Sequence, residues 1–444
     1  MTKTPVPKLI LTLAVPTIIS MMVTAIYNTA DTFFVARVSD DPTVNTSATA
    51  AVGLVFTVMA LIQATGFFCG HGSGNYLSRM LGAGNHKEAN EMASTGFAMA
   101  LILGVVFAVI GNIFAGPISG FLGAGATSMT LEFTGQYMRI ILFGAPFMMA
   151  QFVINNQLRF QGSAYVAMIG LMCGALMNMV LDPLLILVFH MGVRGAAIAT
   201  VMGQFTSFCV LLIGTMKGEN IKLSFSNVHI NVHYIKEIVN GGAPSLFRQG
   251  LAAISTLILN YTAGSIGSDA AIAGMSVAGR VMMMMASALI GFGQGYQPVC
   301  SFNYGAGLKK RVKEGFNFCV KYSTIFLVAI GVVCYIFAPN IIAFFSKDPA
   351  AVTVGVAALK FQAITLPLSG AIVISNMMLQ SIGKGVKASI TASARNGICF
   401  IPLILILPQL FGITGVEIAQ PCADVLALLI AVPMAYTELR KFNE

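Results

Sequence analysis

Asn178 and Asp182 stand four residues apart within 174–188, GALMNMVLDPLLILV, so any helix formed there carries both on one face. Their neighbours Leu176, Met177, Met179, Val180, Leu181, Leu184, Leu185 and Ile186 are apolar enough for a bilayer. A carboxylate in such a stretch is costly unless it is protonated, paired or bound to an ion, so it reads first as functional. The alternative is a structural acid that caps or hydrogen-bonds a neighbouring helix. Pro183 follows Asp182 directly and removes the backbone donor that would satisfy the Met179 carbonyl. Carboxylate, amide and bared carbonyl are the groups that a proton or a small hard cation uses.

The elements that must hold these groups follow from composition. Apolar residues make up 57% of the 444-residue chain and charged residues 9%, against roughly 25% charged in a soluble domain. Apolar runs long enough to cross a ~30 Å hydrocarbon core recur throughout. They lie near 9–34, 49–73, 92–116, 133–157, 164–190, 194–214, 236–262, 270–297, 316–338, 357–380, 388–408 and 413–436. Their length implies helices, since barrel strands would be about ten residues long and alternating. The expected fold is therefore an all-α polytopic membrane protein of about 12 transmembrane helices. The first apolar segment runs on into Asp31, unlike a cleavable signal peptide.

Charge sets the orientation. One set of connections carries Lys3, Lys8, Arg79, Lys87, Lys217, Lys222, the cluster around Lys309 to Lys313, Arg440 and Lys441. The other holds little beyond Arg37, Arg194 and Lys347. This asymmetry predicts cytoplasmic termini and a multi-pass protein of the bacterial inner membrane. The net charge of +9 then reflects topology and anionic lipid headgroups, and not nucleic acid. The eight cysteines form no C-x-x-C pair and read as buried free thiols.

The chain repeats with an offset of about 220 residues. Pro16 answers to Pro244, GAGN at 82–85 to GAGL at 305–308, and LRFQGSAYVAM at 158–168 to LQSIGKGVKAS at 379–389. MGVRGAAIAT at 191–200 answers to FGITGVEIAQ at 411–420. Six spans per half make the repeats parallel, as in transporters built from two lobes about a cavity. The predicted division is an N-terminal six-helix lobe at 1–216, a cytoplasmic linker at 217–235 and a C-terminal six-helix lobe at 236–444.

At 1.5 Å per residue, Asp31 and Asp182 lie roughly 30 and 27 Å above the cytoplasmic starts of their spans. Thr200 lies roughly 9 Å below the outer start of its span, so three helices aim polar groups at the outer third of one lobe. The C-terminal lobe does not repeat this set: Phe400 and Ile401 precede Pro402 where Leu181 and Asp182 precede Pro183. It carries Arg248, Arg280, Arg395, Glu417 and Asp424 instead, and Arg395 with Asp424 reads as a structural ion pair. Met275 and Met282 to Met285 suit either an adaptable drug surface or an ordinary core. His229 and His233 have metal-ligand spacing but sit in a linker without a third ligand, so no metal beyond Na⁺ is expected. No Walker A motif is present, which argues against an ATP-driven pump. Neither H-E-x-x-H nor G-x-S-x-G is present, so an intramembrane hydrolase has no support and the chain does not read as an enzyme.

NNQLRFQG at 155–162, NMVLDPLLI at 178–186, GVRGAAIAT at 192–200, GFGQGYQPV at 291–299 and NYGAG at 303–307 resemble the multidrug and toxin extrusion (MATE) family, in a bacterial branch of the MepA type. The resemblance spans nearly the whole chain. It implies secondary antiport of amphipathic, cationic drug-like molecules against H⁺ or Na⁺, with no cofactor and a functional monomer. By the same resemblance Asp31, Asn178, Asp182 and Thr200 form the coupling site and Pro16 marks a bend in the first helix. Tyr27, Asn28, Met282 and Gln294 are candidates for the substrate cavity. A second acidic site that other branches place in the C-terminal lobe has no match. The rival reading is a lipid-linked oligosaccharide flippase of the same broader superfamily, which would favour a cationic cavity and finds Arg248, Arg280 and Arg395.

Overall fold

A computed structural model describes residues 1–123, 125–267 and 269–442, with the side chains of 28–30 and 32 outside the description. The described chain is helical throughout, without a strand. In order the helices are α1 (Val6–Val35), α2 (Pro42–Gly82), α3 (His86–Ile113), α4 (Ala115–Leu122), α5 (Ser128–Phe160), α6 (Ala164–Pro183) and α7 (Gly192–Met216). They continue as α8 (Val232–Gly267), α9 (Asp269–Gly305), α10 (Lys309–Phe345), α11 (Pro349–Ser381), α12 (Gly385–Ser393), α13 (Phe400–Phe411) and α14 (Ile413–Arg440).

Starts and stops follow local chemistry. Asp41 caps α2 by accepting from the Thr43 N–H at 2.8 Å, with Pro42 at the first helical position. That bond and one from the Thr43 hydroxyl hold the Asp41 carboxyl below its ordinary range. Asn85 caps α3 through the Glu88 N–H, Thr127 caps α5, and Asp348 caps α11 ahead of Pro349. Gly84 and Gly307 take positive φ in the turns between α2 and α3 and between α9 and α10, as the GAGN and GAGL repeat demands.

Among the described residues eleven helical segments are long and apolar enough to cross a membrane, against the expected twelve. The expected span at 236–262 is a continuous 36-residue helix, α8, but Arg248, Gln249 and Asn260 make it less apolar than the rest.

Packing divides the chain within α1 and α8, away from the polar linker. One compact unit is Ile19–Gly242; the other joins Met1–Ile18 to Ala243–Glu444. Both extensions have a physical cause. The linker belongs to the first unit because α3 and α5 take its backbone donors: Ser94 Oγ accepts from the Ser224 N–H, Thr95 Oγ1 from the His229 N–H, and Gln161 Oε1 from the Ile221 N–H. At its end His233 meets Glu88 at 3.1 Å and His229 meets Glu91 at 3.5 Å. Tyr234 donates to Glu91 at 2.5 Å, and burial together with that carboxylate raises its phenol above the ordinary value. The N-terminal segment belongs to the second unit because α9 offers it bare backbone. A Cβ on Gly295 would stand 2.4 Å from the Ala14 Cα, and one on Gly291 2.8 Å from that of Ile18. Arg311 donates to the carbonyls of Met1 and Thr4, and to Asn303 Oδ1.

The repeat is visible at the level of single bonds. Asn155 Nδ2 donates to the Ala167 carbonyl, and Asn376 Nδ2 to that of Ala388, each twelve residues ahead. Each half also contains a five-residue π-helical turn, at Leu184–Val188 and Ala394–Ile398. The first follows Pro183, where the i→i−4 ladder is already broken.

Candidate functional site

The unit Ile19–Gly242 gathers the acids of α1 and α6. Asp182 is wholly buried at the end of α6, and Asn178 one turn earlier is 3% exposed. Asp31 on α1 is half-buried, and its carboxyl lies within electrostatic and hydrogen-bonding range of Asp182. Among the described residues, neither Asp182 oxygen, nor Asp31 Oδ1, nor either polar atom of the Asn178 amide takes a hydrogen bond of good geometry. Fully desolvated polar atoms without a partner are rare in native proteins and ask for an explanation.

Helix packing brings this about. Gly174 on α6 and Gly203 on α7 meet backbone to backbone: a Cβ on Gly203 would stand 2.8 Å from the Gly174 carbonyl oxygen and 3.0 Å from the Asn178 Cβ. The close approach seats Thr200 of α7 beside the α6 polar face. Thr200 is 4% exposed and donates its hydroxyl hydrogen to the Ala196 carbonyl at 3.0 Å, which leaves its lone pairs free to accept.

Tyr137 of α5 and Gln204 of α7 join this set, and neither is among the candidates that the sequence offers. Tyr137 is wholly buried, with its hydroxyl near Thr200 and within electrostatic range of Asp31, Asp182 and Tyr27. Gln204 donates to the Tyr27 hydroxyl at 3.4 Å while its own Oε1 has no partner among the described residues. A signal for Gln204 existed, since it lies one turn beyond Thr200 on the same face. Tyr137 had none, because a tyrosine in an apolar span reads equally well as core or interface.

Tyr27, Asn178, Thr200 and Gln204 line a cavity of about 70 Å³ together with Gln63 and Gln151. The chemistry is that of a cation or proton site: two carboxylates close to one another, with the oxygens of two amides, two phenols and a hydroxyl nearby, and no ion pair to either carboxylate among the described residues.

The remaining candidates lie elsewhere. Pro16 is interior to α1, two residues before the division between the packed units. The side chain of Asn28 falls outside the described residues. Met282 and Gln294 belong to α9 in the other unit, Met282 packed against that unit's core and Gln294 buried. The methionines divide by helix face: Met275 is buried, whereas Met283 and Met284 point outward. In the same unit Asp424 is fully engaged. Arg395 donates to it at 2.7 Å, Gln420 at 3.0 Å and Thr365 at 3.4 Å.

Comparison with known proteins agrees with this architecture. A family model described as MatE matches residues 16–184 and 244–406. The chain is 27% identical over 439 residues to the "Multidrug export protein MepA" of Staphylococcus aureus (strain MRSA252), covering 98% of this chain and 94% of that protein. It is 28% identical over 426 residues to its namesake in Staphylococcus haemolyticus, covering 96% and 92%. Among solved structures, an outward-facing multidrug resistance MATE family transporter of the MOP superfamily aligns with TM-score 0.91 at 25% identity, over 99% of this chain and 97% of that one. A MOP superfamily transporter from Pyrococcus furiosus aligns with TM-score 0.91 at 24% identity, over 100% and 98%.

Proposed function

Because this chain belongs to the MatE family, we propose that it is a multidrug efflux transporter that exports amphipathic, cationic drug-like molecules across the inner membrane in exchange for H⁺ or Na⁺. The coupling ion is bound by Asp31 and Asp182, with Asn178, Thr200, Tyr137 and Gln204 supplying further oxygens. One observation carries the reading: the Asp182 carboxylate is completely buried in a membrane helix and neither oxygen has a hydrogen-bond partner among the described residues. An acid kept there for packing alone would be expected to find donors, as Asp424 does.

The mechanism follows from the charge. Two carboxylates held together out of water resist being ionised at the same time. Binding of a proton or Na⁺ from outside neutralises the site and displaces the substrate, and once the ion has left toward the cytoplasm the ionised site can again favour a cationic substrate. Alternate binding of ion and substrate to the same negative charge would couple the two flows. The positive-inside asymmetry supports cytoplasmic termini. The multidrug export named for the staphylococcal relatives supports the substrate class. We take the working unit to be the monomer, since one packed unit of one chain supplies the whole candidate ligand set.

The test is efflux of a fluorescent cation from vesicles under pH and Na⁺ gradients imposed separately. Asp182→Asn should reduce gradient-driven efflux to background while its melting temperature in detergent holds or rises, because the buried charge is removed without stranding a partner. Near-normal efflux by the well-expressed variant would remove Asp182 from coupling.

A further inference from the structure

We infer that Arg248 is an oxyanion-recognition residue, a guanidinium set in α8 to hold a carboxylate carried by an amphipathic substrate. The inference rests on the export reading above and names a chemical class within it.

Arg248 lies roughly 24 Å from the start of α8 and roughly 28 Å from its end, near the middle of a membrane-length helix. A charge at that depth ordinarily has a counterion. Arg248 has none. Of the buried acids of its unit, Asp424 is paired with Arg395 and Glu438 with Lys387 and Lys441, while Glu417 makes no ion pair with Arg248 among the described residues. Among the described residues no ion pair reaches Arg248, and no carboxylate acts on it electrostatically.

Neutral acceptors hold it in place. Nη1 donates to Asn376 Oδ1 at 3.0 Å and Nη2 to Ser245 Oγ at 3.5 Å. Both acceptors are themselves fixed. Asn376 Nδ2 donates to the Ala388 carbonyl at 2.6 Å and to Thr391 Oγ1 at 3.0 Å. Ser245 Oγ accepts from Gln380 Nε2 at 2.8 Å, and Gln380 Oε1 from Gln297 Nε2 at 3.0 Å. A guanidinium has five N–H donors in a planar fork, so three remain after these two bonds. A pinned fork with free donors and an unbalanced charge matches a carboxylate in a bidentate pair.

The repeat sharpens the point. Asn155 makes the same amide bond in the other half that Asn376 makes here. Aligned on Pro16 and Pro244, the α1 residue that corresponds to Arg248 is Ser20. One copy of the repeated framework carries a cation at this position, and the other makes the same amide bond with a serine there.

Two dyes that differ only at a carboxylate test the assignment: rhodamine 19, a zwitterion, and rhodamine 6G, its ethyl ester and a plain cation. Wild type, Arg248→Gln and Arg248→Lys would be reconstituted in vesicles, with gradient-driven transport of each dye measured as KM and kcat. The expected result is that Arg248→Gln raises KM for rhodamine 19 by about tenfold, the size of one charge-assisted contact. Rhodamine 6G should be unchanged, and Arg248→Lys should retain part of the preference. Equal loss for both dyes, with Arg248→Lys behaving like wild type for both, would make Arg248 structural and overturn the proposal. So would wild type that moves rhodamine 6G but not rhodamine 19. Absence of gradient-driven rhodamine 6G transport in wild type would instead sink the export reading itself.

Discussion

Asp182 and Asp424 are both aspartates buried in membrane helices, one in each packed unit, and their surroundings are opposite. Asp424 receives donors from Arg395, Gln420 and Thr365. Asp182 receives none among the described residues, and its electrostatic neighbour is a second carboxylate, Asp31. The same side chain is fastened where donors converge on it, and where they do not it is the ion ligand of the proposed function. The repeat shows how the difference arises. With the offset that aligns the two GSA/GKG turns, Gly174 of α6 corresponds to Arg395, and the α7 neighbourhood of Gly203 and Gln204 corresponds to that of Asp424. At one crossing two glycines let backbones touch; at the other an ion pair spans the gap.

The comparison predicts contrasting costs. Neutralising Asp424 alone, as Asp424→Asn, should destabilise the protein by about 3–5 kcal/mol, because it leaves Arg395 without its counterion. A double-mutant cycle with Arg395→Gln, read by melting in detergent, should show coupling of about 1–3 kcal/mol. Simple additivity would mean that the pair is incidental, and the contrast with Asp182 would lose its basis.

A smaller effect is expected at the glycine crossing. Gly203→Ala places a methyl 2.8 Å from the Gly174 carbonyl oxygen, so α6 and α7 must separate. The cost should be about 1–3 kcal/mol of stability. Ion coupling should weaken with it, since Asn178 and Thr200 sit on the two separated helices. A variant with normal stability but poor coupling would place the effect on site geometry alone.

The smallest expected effect is at Tyr137. Tyr137→Phe removes a hydroxyl near Thr200 and the two acids but leaves both charges. Apparent affinity for the coupling ion should fall severalfold, about 1 kcal/mol, with maximal efflux retained. A complete loss would promote Tyr137 from supporting oxygen to essential ligand.

Much of this was legible in the sequence, for identifiable reasons. Apolar runs of membrane length follow from composition and spacing alone, so the helical fold could be read directly. Asp31, Asn178, Asp182 and Thr200 were legible because a polar group in an apolar span is conspicuous. Tyr137 was not, since phenols are ordinary in such spans. The division of the packed units was also hidden. It depends on Gly291 and Gly295 offering bare backbone to residues 1–18, and on Ser94, Thr95 and Gln161 capturing the linker. Those are long-range contacts with no local signature. The expected span at 236–262 kept its helix but is less apolar than the others, since it carries Arg248 and its polar contacts.

The central claim is that Asp31 and Asp182 share one cation site, and proton release tests it most directly. Purified protein in weakly buffered solution should release about one proton when NaCl is added, since Na⁺ would displace the proton that keeps two close carboxylates from ionising together. Choline chloride should release none, and Asp182→Asn should abolish the response. No release from wild type, together with efflux that ignores a Na⁺ gradient, would contradict a site shared by the two ions and leave H⁺ alone as the coupling ion.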